Sequence, residues 1–371
     1  MSRTPLGVLD LVPVQSGSTV NRAIADTLQL VRRVEAAGYG RYWFAEHHFN
    51  PGVIGSSPSV LIALAGAVTE RIRLGSGAIQ LGPQHPEAIV AEDFALLDAA
   101  FPGRIDLGLG RSGLSGGGPP PPAEVPAYVT ADGLLVPAQF SFARLLDAPK
   151  FRTLATLLGR GHGEKKVFAD QVETILALFG DGVGEDDARV DLTDASEAPT
   201  RPEVRLFGSG NYTAELAGRL GLPFAANYHS APSGVLLSVT EYRRAFEPSA
   251  TLSEPHVIVS ADVVAASTEK DARELASGYP AWVRSIRRGE GAIRYPSPEE
   301  VAQTSWTEDD QLLVEDRVRT QFVGTPTQVV ERLEVLRNAT QADELVLTTI
   351  THDPEARAVS YELIAEEWNR G

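Results

Sequence analysis

Short apolar runs alternate along the chain with longer segments whose apolar positions recur every three or four residues. Leu6-Gly7-Val8-Leu9-Asp10-Leu11-Val12 is a run closed by Pro13, the composition of a strand hidden on both faces. From Asn21 to Ala37 the apolar residues Ile24, Leu28, Val31 and Val34 share one helical face, and Gly38 supplies a left-handed stop. Arg41-Tyr42-Trp43-Phe44-Ala45 is a second buried strand, ended by Asn50-Pro51-Gly52. Ser57-Pro58-Ser59 opens a helix through Val68 that is small-sided and apolar nearly all round, so both of its sides need a cover. A third strand, Ile72 to Ile79, contains Gly75 and Gly77, which signal close approach of a backbone or ligand. Pro86–Ala99 is the third helix, and Arg104–Gly110 the fourth strand, ending at Arg111. Successive strand–helix units imply right-handed parallel crossovers.

Regularity then lapses from Ser112 to Gly163. Gly116-Gly117-Gly118-Pro119-Pro120-Pro121-Pro122 cannot form the interior of an element, and so long an irregular segment in a compact domain is expected to be a lid over a binding pocket. Beyond Gly116–Pro122, Phe140, Phe142, Leu145, Leu146 and Phe151 give that lid an apolar face. The pattern resumes with a helix from Lys165 to Phe179 and a polar excursion from Asp181 to Pro199. A fifth strand, Val204–Phe207, runs through Gly208-Ser209-Gly210 into a helix from Tyr212 to Leu220. Pro223–Asn227 is a sixth strand, with a helix ending near Phe246. His256–Ala266 is a seventh, and Leu345–Ile350 an eighth, followed by a helix from Pro354 to Trp368. Residues 269–321 are helical but broken by Pro280, Gly289, Pro296 and Pro298, and Thr325-Pro326-Thr327 caps the helix to Arg337. Eight strands, each followed by helical material, predict one (β/α)8 barrel over residues 1–371, with insertions after strand four (112–163) and after strand seven (269–321). A doubly wound open sheet accommodates eight units and two insertions less well.

Composition narrows the class. Of the 371 residues 43% are hydrophobic, ample for a large core, and no apolar run is long enough to span a membrane. The first residues lack a basic region followed by an apolar one, so no secretion signal is expected. Cysteine is absent, which removes disulfides, thiolate metal sites and cysteine nucleophiles together. A net charge of −16 argues against nucleic acid as a partner. The expectation is a cytoplasmic enzyme.

In such barrels the chemistry sits at the carboxyl ends of the strands. There the sequence puts Glu46, His47 and His48 after strand two, Gly77, Ala78 and Gln80 at the end of strand three, and Arg111 after strand four. Gly208-Ser209-Gly210 follows strand five, Asn227, Tyr228 and His229 strand six, and Thr351 and His352 strand eight. A glycine turn at a helix N-terminus offers free N–H groups and the positive dipole end to an anion, and an arginine on the neighbouring strand can grip phosphate oxygens. Gly108-Leu109-Gly110 would let a flat ligand lie near the mouth. Two enzyme classes fit: a barrel holding a phosphorylated cofactor beside a histidine, or a metal-dependent hydrolase with His47, His48, His229 and His352 as ligands. Adjacent residues on a strand point to opposite faces, so His47 and His48 cannot chelate one ion together. A non-enzymatic binding barrel is a third option.

Trp43-Phe44-Ala45-Glu46-His47-His48-Phe49, Leu74-Gly75-Ser76-Gly77-Ala78-Ile79 with His85-Pro86, and Gly103–Arg111 resemble the flavin-dependent bacterial luciferase-like monooxygenases. So do Leu206-Phe207-Gly208-Ser209-Gly210, Val323-Gly324-Thr325-Pro326 and Ala342-Asp343-Glu344-Leu345, in the family's order across nearly the whole chain. The resemblance implies a two-component enzyme: reduced FMN from a separate flavin reductase reacts with O2, and a flavin C4a-peroxide hydroxylates or epoxidises a bulky hydrophobic substrate. His47 matches the catalytic histidine and Glu46 a residue at the flavin. Gly77 and Ala78 match the bend under the ring, where a cis peptide is expected, with Gln80 close by. Arg111, Gly208, Ser209, Gly210 and Thr213 match the surroundings of the flavin phosphate. Luciferase itself has cysteine at the position of Gly110 and glutamate at that of Ser209. The similarity is greater to members that tailor natural products such as polyketides, and related barrels use F420 in place of FMN. A homodimer through the helices Ser59–Val68 and Glu87–Ala99 is expected.

Overall fold

The computed structural model of the chain describes residues 4–111, 126–140, 149–159, 167–184, 189–192 and 200–370. Eight parallel strands form the barrel: β1 (Leu6–Asp10), β2 (Arg41–Phe44), β3 (Arg73–Ser76), β4 (Ile105–Arg111), β5 (Glu203–Gly208), β6 (Phe224–Asn227), β7 (Val257–Ala265) and β8 (Glu344–Thr348). Each pairs with its successor, and β8 returns to β1 with Leu345 opposite Leu6. Closure leaves no barrel edge, so the fold is the (β/α)8 barrel and not the open sheet.

The helices wrap the barrel because their apolar stripes need its outer face. In α1 (Val20–Ala36) the buried residues Ala23, Thr27, Leu30, Val31 and Val34 lie on one side. Thr19 accepts a hydrogen bond from the Arg22 N–H at 3.2 Å, and Gly38 turns the chain at φ 91°. α2 (Pro58–Gly66) ends two residues before the expected Val68. A Cβ on Gly66 would lie 2.5 Å from the Phe101 ring, which follows α3 (Glu87–Ala100), so the close approach of these elements depends on glycine. The expected single third strand is broken. Arg73–Ser76 and Ile79–Leu81 are separate pieces joined by Gly77–Ala78, whose peptide bond is cis. A short strand that the pattern did not predict, Phe322–Gly324, extends the ladder beside the long β7, with Phe322 opposite Val263.

Of the two expected insertions, Gly116–Pro122 and Phe142, Leu145 and Leu146 lie outside the described residues. Among the described ones, the Arg287 guanidinium stands 3.9 Å from the Phe140 ring centroid, and Lys150 Nζ donates to the Glu290 carbonyl. The two segments therefore meet.

Strand alternation sorts side chains between two cores. Val8, Tyr42, Leu107, Leu206, Phe224 and Val259 face the helices, whereas Leu9, Trp43, Phe207, Ala225, Ile258 and Val346 fill the barrel. The amino-terminal end is closed by charge. Asp106 accepts from Arg41 at 2.8 Å, Arg73 at 2.7 Å, Arg205 at 3.1 Å and the Trp43 indole at 2.8 Å. Burial pushes Asp106 up, but Arg205, Arg41 and Arg73 outweigh it and hold the carboxylate below its usual range.

Candidate active site

At the opposite, carboxyl-terminal end, β2 runs into a loop whose centre is Glu46, 2% exposed. One carboxylate oxygen accepts from His48 Nε2 at 2.6 Å and His85 Nε2 at 3.0 Å. The other accepts from the Gln80 backbone N–H at 2.9 Å, while the Gln80 amide donates to the Glu46 carbonyl at 2.8 Å. Burial raises the Glu46 pKa, yet bonds from His48 and His85 bring it down to about 2. An ionised hub thus pins the loop after β2 to the segment after Ile79–Leu81. His85 is the member sequence reasoning missed: it lies 39 positions away, and nothing local to it signals Glu46.

Among the described residues, Glu46, His48 and His85 are grouped closely enough to hold an ion, with ligand atoms within 4.8 Å of one another. The four-histidine set of the hydrolase reading does not assemble. His229 bonds Ser260, and His352 lies 3.3 Å from the Ser16 hydroxyl. A 2.6 Å contact between His48 and Glu46 is itself a hydrogen bond, shorter than the separation of two ligands around a metal ion.

His47 points the other way. Its backbone N–H donates to the Gly55 carbonyl at 3.0 Å, its ring is part-buried beside the Ala45 backbone, and its Nδ1 is enclosed by protein. Burial pushes the imidazole down to about 4, so it is neutral at pH 7.

Next around the ring, Gly77 is packed from beneath. A Cβ there would meet Leu9 at 2.7 Å and Phe207 and Trp43 at 3.3 Å, so Gly77 and the partly buried Ala78 form a ledge over the aromatic floor. Gly108 does not leave room for a flat ligand. The Phe207 ring fills its place, 2.5 Å from where a Cβ would stand, and only Gly110 faces Ala78.

Arg111 ends β4 exposed, its guanidinium 5.4 Å from the Tyr212 ring centroid. Tyr212 is in the first turn of the helix Asn211–Arg219, whose N-cap is Gly210. Among the described residues, no side chain caps that helix and no atom lies within 4 Å of the position a Gly210 Cβ would take. Ser209 and Gly210 are exposed, while Thr213 is buried against Gly208, where a Cβ would clash at 2.7 Å. The turn is open, donor-rich and flanked by a cation.

Over β6 to β8 the mouth also carries residues that the sequence pattern did not single out. Asp262 of β7 accepts from the Tyr279 hydroxyl and, at 3.1 Å, from Arg317. Burial keeps this carboxyl above its usual range despite Arg317. Tyr279 and Trp282 come from the helix Tyr279–Arg287. The following loop is stitched to the Glu46 loop through Asn50, which accepts from Ala292 N–H at 2.9 Å.

The luciferase-like monooxygenase family matches residues 4–115 and 163–343. A luciferase-like monooxygenase of Escherichia coli (strain K12) is 32% identical over 359 residues, covering 96% of this chain and 94% of its own. The crystal structure of apo-MsnO8 has a TM-score of 0.77 at 27% identity and covers 99% of this chain and 98% of its own. The oxygenating constituent of 3,6-diketocamphane monooxygenase from Pseudomonas putida, in complex with FMN, shares the fold at a TM-score of 0.65 and 19% identity, covering 98% of each chain. With the matched segments spanning the barrel and its mouth, this chain belongs to the luciferase-like monooxygenase family.

Proposed function

We propose that the protein is a flavin-dependent monooxygenase that receives reduced FMN from a separate reductase and uses O2 to hydroxylate or epoxidise a bulky hydrophobic compound, in natural-product tailoring. The observation that carries this reading is one barrel mouth holding both a neutral, part-buried His47 and an open anion cradle at Arg111, Ser209 and Gly210. The phosphate would lie with Arg111 and the Ser209–Gly210 turn, shaped from behind by Gly208 and Thr213. The ring would rest on the Gly77–Ala78 ledge. When bound, reduced FMN would supply the electrons that activate dioxygen.

The chain's own residues do the rest. His47, kept uncharged by burial, can accept or return a proton on its imidazole without carrying a permanent charge into an apolar site. Glu46 is a positioning residue, holding His48, His85 and Gln80 so that the loop carrying His47 keeps its shape. The aromatic floor of Trp43 and Phe207 excludes water from below. The exposed side chains Val60, Leu64, Ile89 and Leu96, on α2 and α3, favour a second copy of this chain as the cover of that face.

Anaerobic titration with reduced FMN and reduced F420, followed by O2 uptake, tests the reading. Saturable FMN binding with O2 consumption is expected. Binding of F420 alone, or O2 uptake no faster than that of free reduced FMN, overturns it.

A further inference from the structure

We propose that His229 is a second functional imidazole at the mouth, a fixed hydrogen-bond acceptor that grips a hydroxyl, thiol or N–H group of an otherwise apolar substrate. This rests on the monooxygenase reading, because it concerns the molecule that is oxygenated.

Strand register sends His229 inward. In β6, Ala225 belongs to the barrel interior while Phe224 and Ala226 face the helices, so residue 227 points inward, and the turn that follows carries His229 over the same end. On the neighbouring β7, Ile258 is interior, which aims Ser260 the same way. The two side chains meet, His229 Nδ1 lying 2.6 Å from Ser260 Oγ.

Ser260 decides the tautomer. Its hydroxyl has one hydrogen, which it donates to the Ala226 carbonyl at 3.3 Å. With that hydrogen directed to Ala226, the oxygen is left to receive the Nδ1–H of His229, and we assign the lone pair of the ring to Nε2. That nitrogen makes no hydrogen bond among the described residues, and the side chain is part-buried, so its free edge opens to the mouth. Burial, Arg317 and His47 together push the imidazole down to about 3, which keeps it an acceptor at physiological pH.

Placement separates this group from the cofactor's end. The anion cradle lies at the ends of β4 and β5 and the ledge after β3, whereas His229 follows β6 and Ser260 lies on β7. His47 is among the groups whose charge acts on His229, which places both imidazoles at one end of the barrel. Much of the remaining wall is apolar, with Leu11, Val53 and Ile350 in the same cluster. The substrate class is thus a hydrophobic skeleton with a polar X–H group.

The test uses the flavin-free full chain with 15N-labelled histidine, His229 being assigned from the His229→Phe spectrum. The probes are limonene and perillyl alcohol, which share a skeleton and differ by one hydroxyl. The expected result is an Nδ1–H tautomer whose Nε2 resonance moves with perillyl alcohol and not with limonene. Ser260→Ala should lose the single tautomer and bind the alcohol about tenfold more weakly, the loss of roughly one hydrogen bond, with FMN affinity unchanged. An Nε2–H tautomer overturns the proposal, as does a His229 that responds to neither probe or to both alike. These readouts need no flavin, so failure of the monooxygenase reading would show separately, as absence of O2 uptake with reduced FMN.

Discussion

Replacing His47 with alanine removes the imidazole but none of the bonds that tie Glu46 to His48, His85 and Gln80. The cost should fall on chemistry. A positioned acid–base group is worth about 10²–10⁴ in rate, and the oxygen-dependent step should slow by that factor. Flavin affinity should change by less than about threefold, because the proposed phosphate cradle is untouched. The pH dependence is sharper. With its pKa lowered from 6.5 to about 4, His47 is roughly 99.9% neutral at pH 7 by the Henderson–Hasselbalch relation. The rate of the step should stay level as pH falls from 8 to about 5 and decline through one protonation near 4. The same shift acts on stability. The unfolded chain takes up a proton on this residue near pH 6.5 and the native chain does so only near 4, so stability contributed by neutral His47 is present above 6.5 and lost as pH falls towards 4. Stopped-flow mixing of the reduced flavoenzyme with O2 across pH 4–8 reads the rate, and anaerobic flavin titration reads the affinity. Unchanged turnover in His47→Ala, or a kinetic midpoint near 6.5, refutes the assignment.

Arg111→Ala should weaken FMN by about 10- to 100-fold and riboflavin hardly at all, since a charge-assisted bond contributes about 1.5–3 kcal/mol and only FMN has the phosphate; equal losses in parallel fluorescence titrations would give Arg111 another role. Asp106→Asn leaves Arg41, Arg73 and Arg205 facing a neutral amide, and a loss of about 3–5 kcal/mol is expected in chemical denaturation, against little change for an exposed control such as Glu70→Gln. Leu96, 72% exposed on α3, should lie in the dimer contact, so Leu96→Glu is expected to sediment as a monomer where the parent sediments as a dimer; a monomeric parent at micromolar concentration would contradict this. Gln341 ends the helix Pro326–Thr340 at φ 50° and ψ 43°, and Gln341→Gly should raise the melting temperature through relief of about 1 kcal/mol of backbone strain.

Much of the architecture is legible from local pattern. Period-two and period-3.6 segments, separated by Gly38, Pro58 and Gly221, mark the strand–helix units because burial against a barrel demands those periods. The ends of the strands also gather Glu46, Gly77, Arg111 and Gly210 on one face without any tertiary information, since every parallel strand presents its carboxyl end to the same side. What pattern does not carry is partnership between distant residues. Glu46 looks like a member of the reactive triplet, yet its carboxylate is spent on His85 and Gln80; Gly108 looks like room for a ligand, yet Phe207 fills it.

The sequence alone determined the eight units, the end of the barrel that holds the chemistry, and the pairing of an arginine with an open glycine turn. Each follows from residue type and spacing over a few positions. Tertiary structure alone decided that β8 closes on β1, that three arginines converge on Asp106, that burial lowers the pKa of His47, and that Ser260 meets His229. Those depend on burial and on charges brought together from across the chain. A local window contains neither the dielectric surroundings of a side chain nor the neighbour that will share its proton.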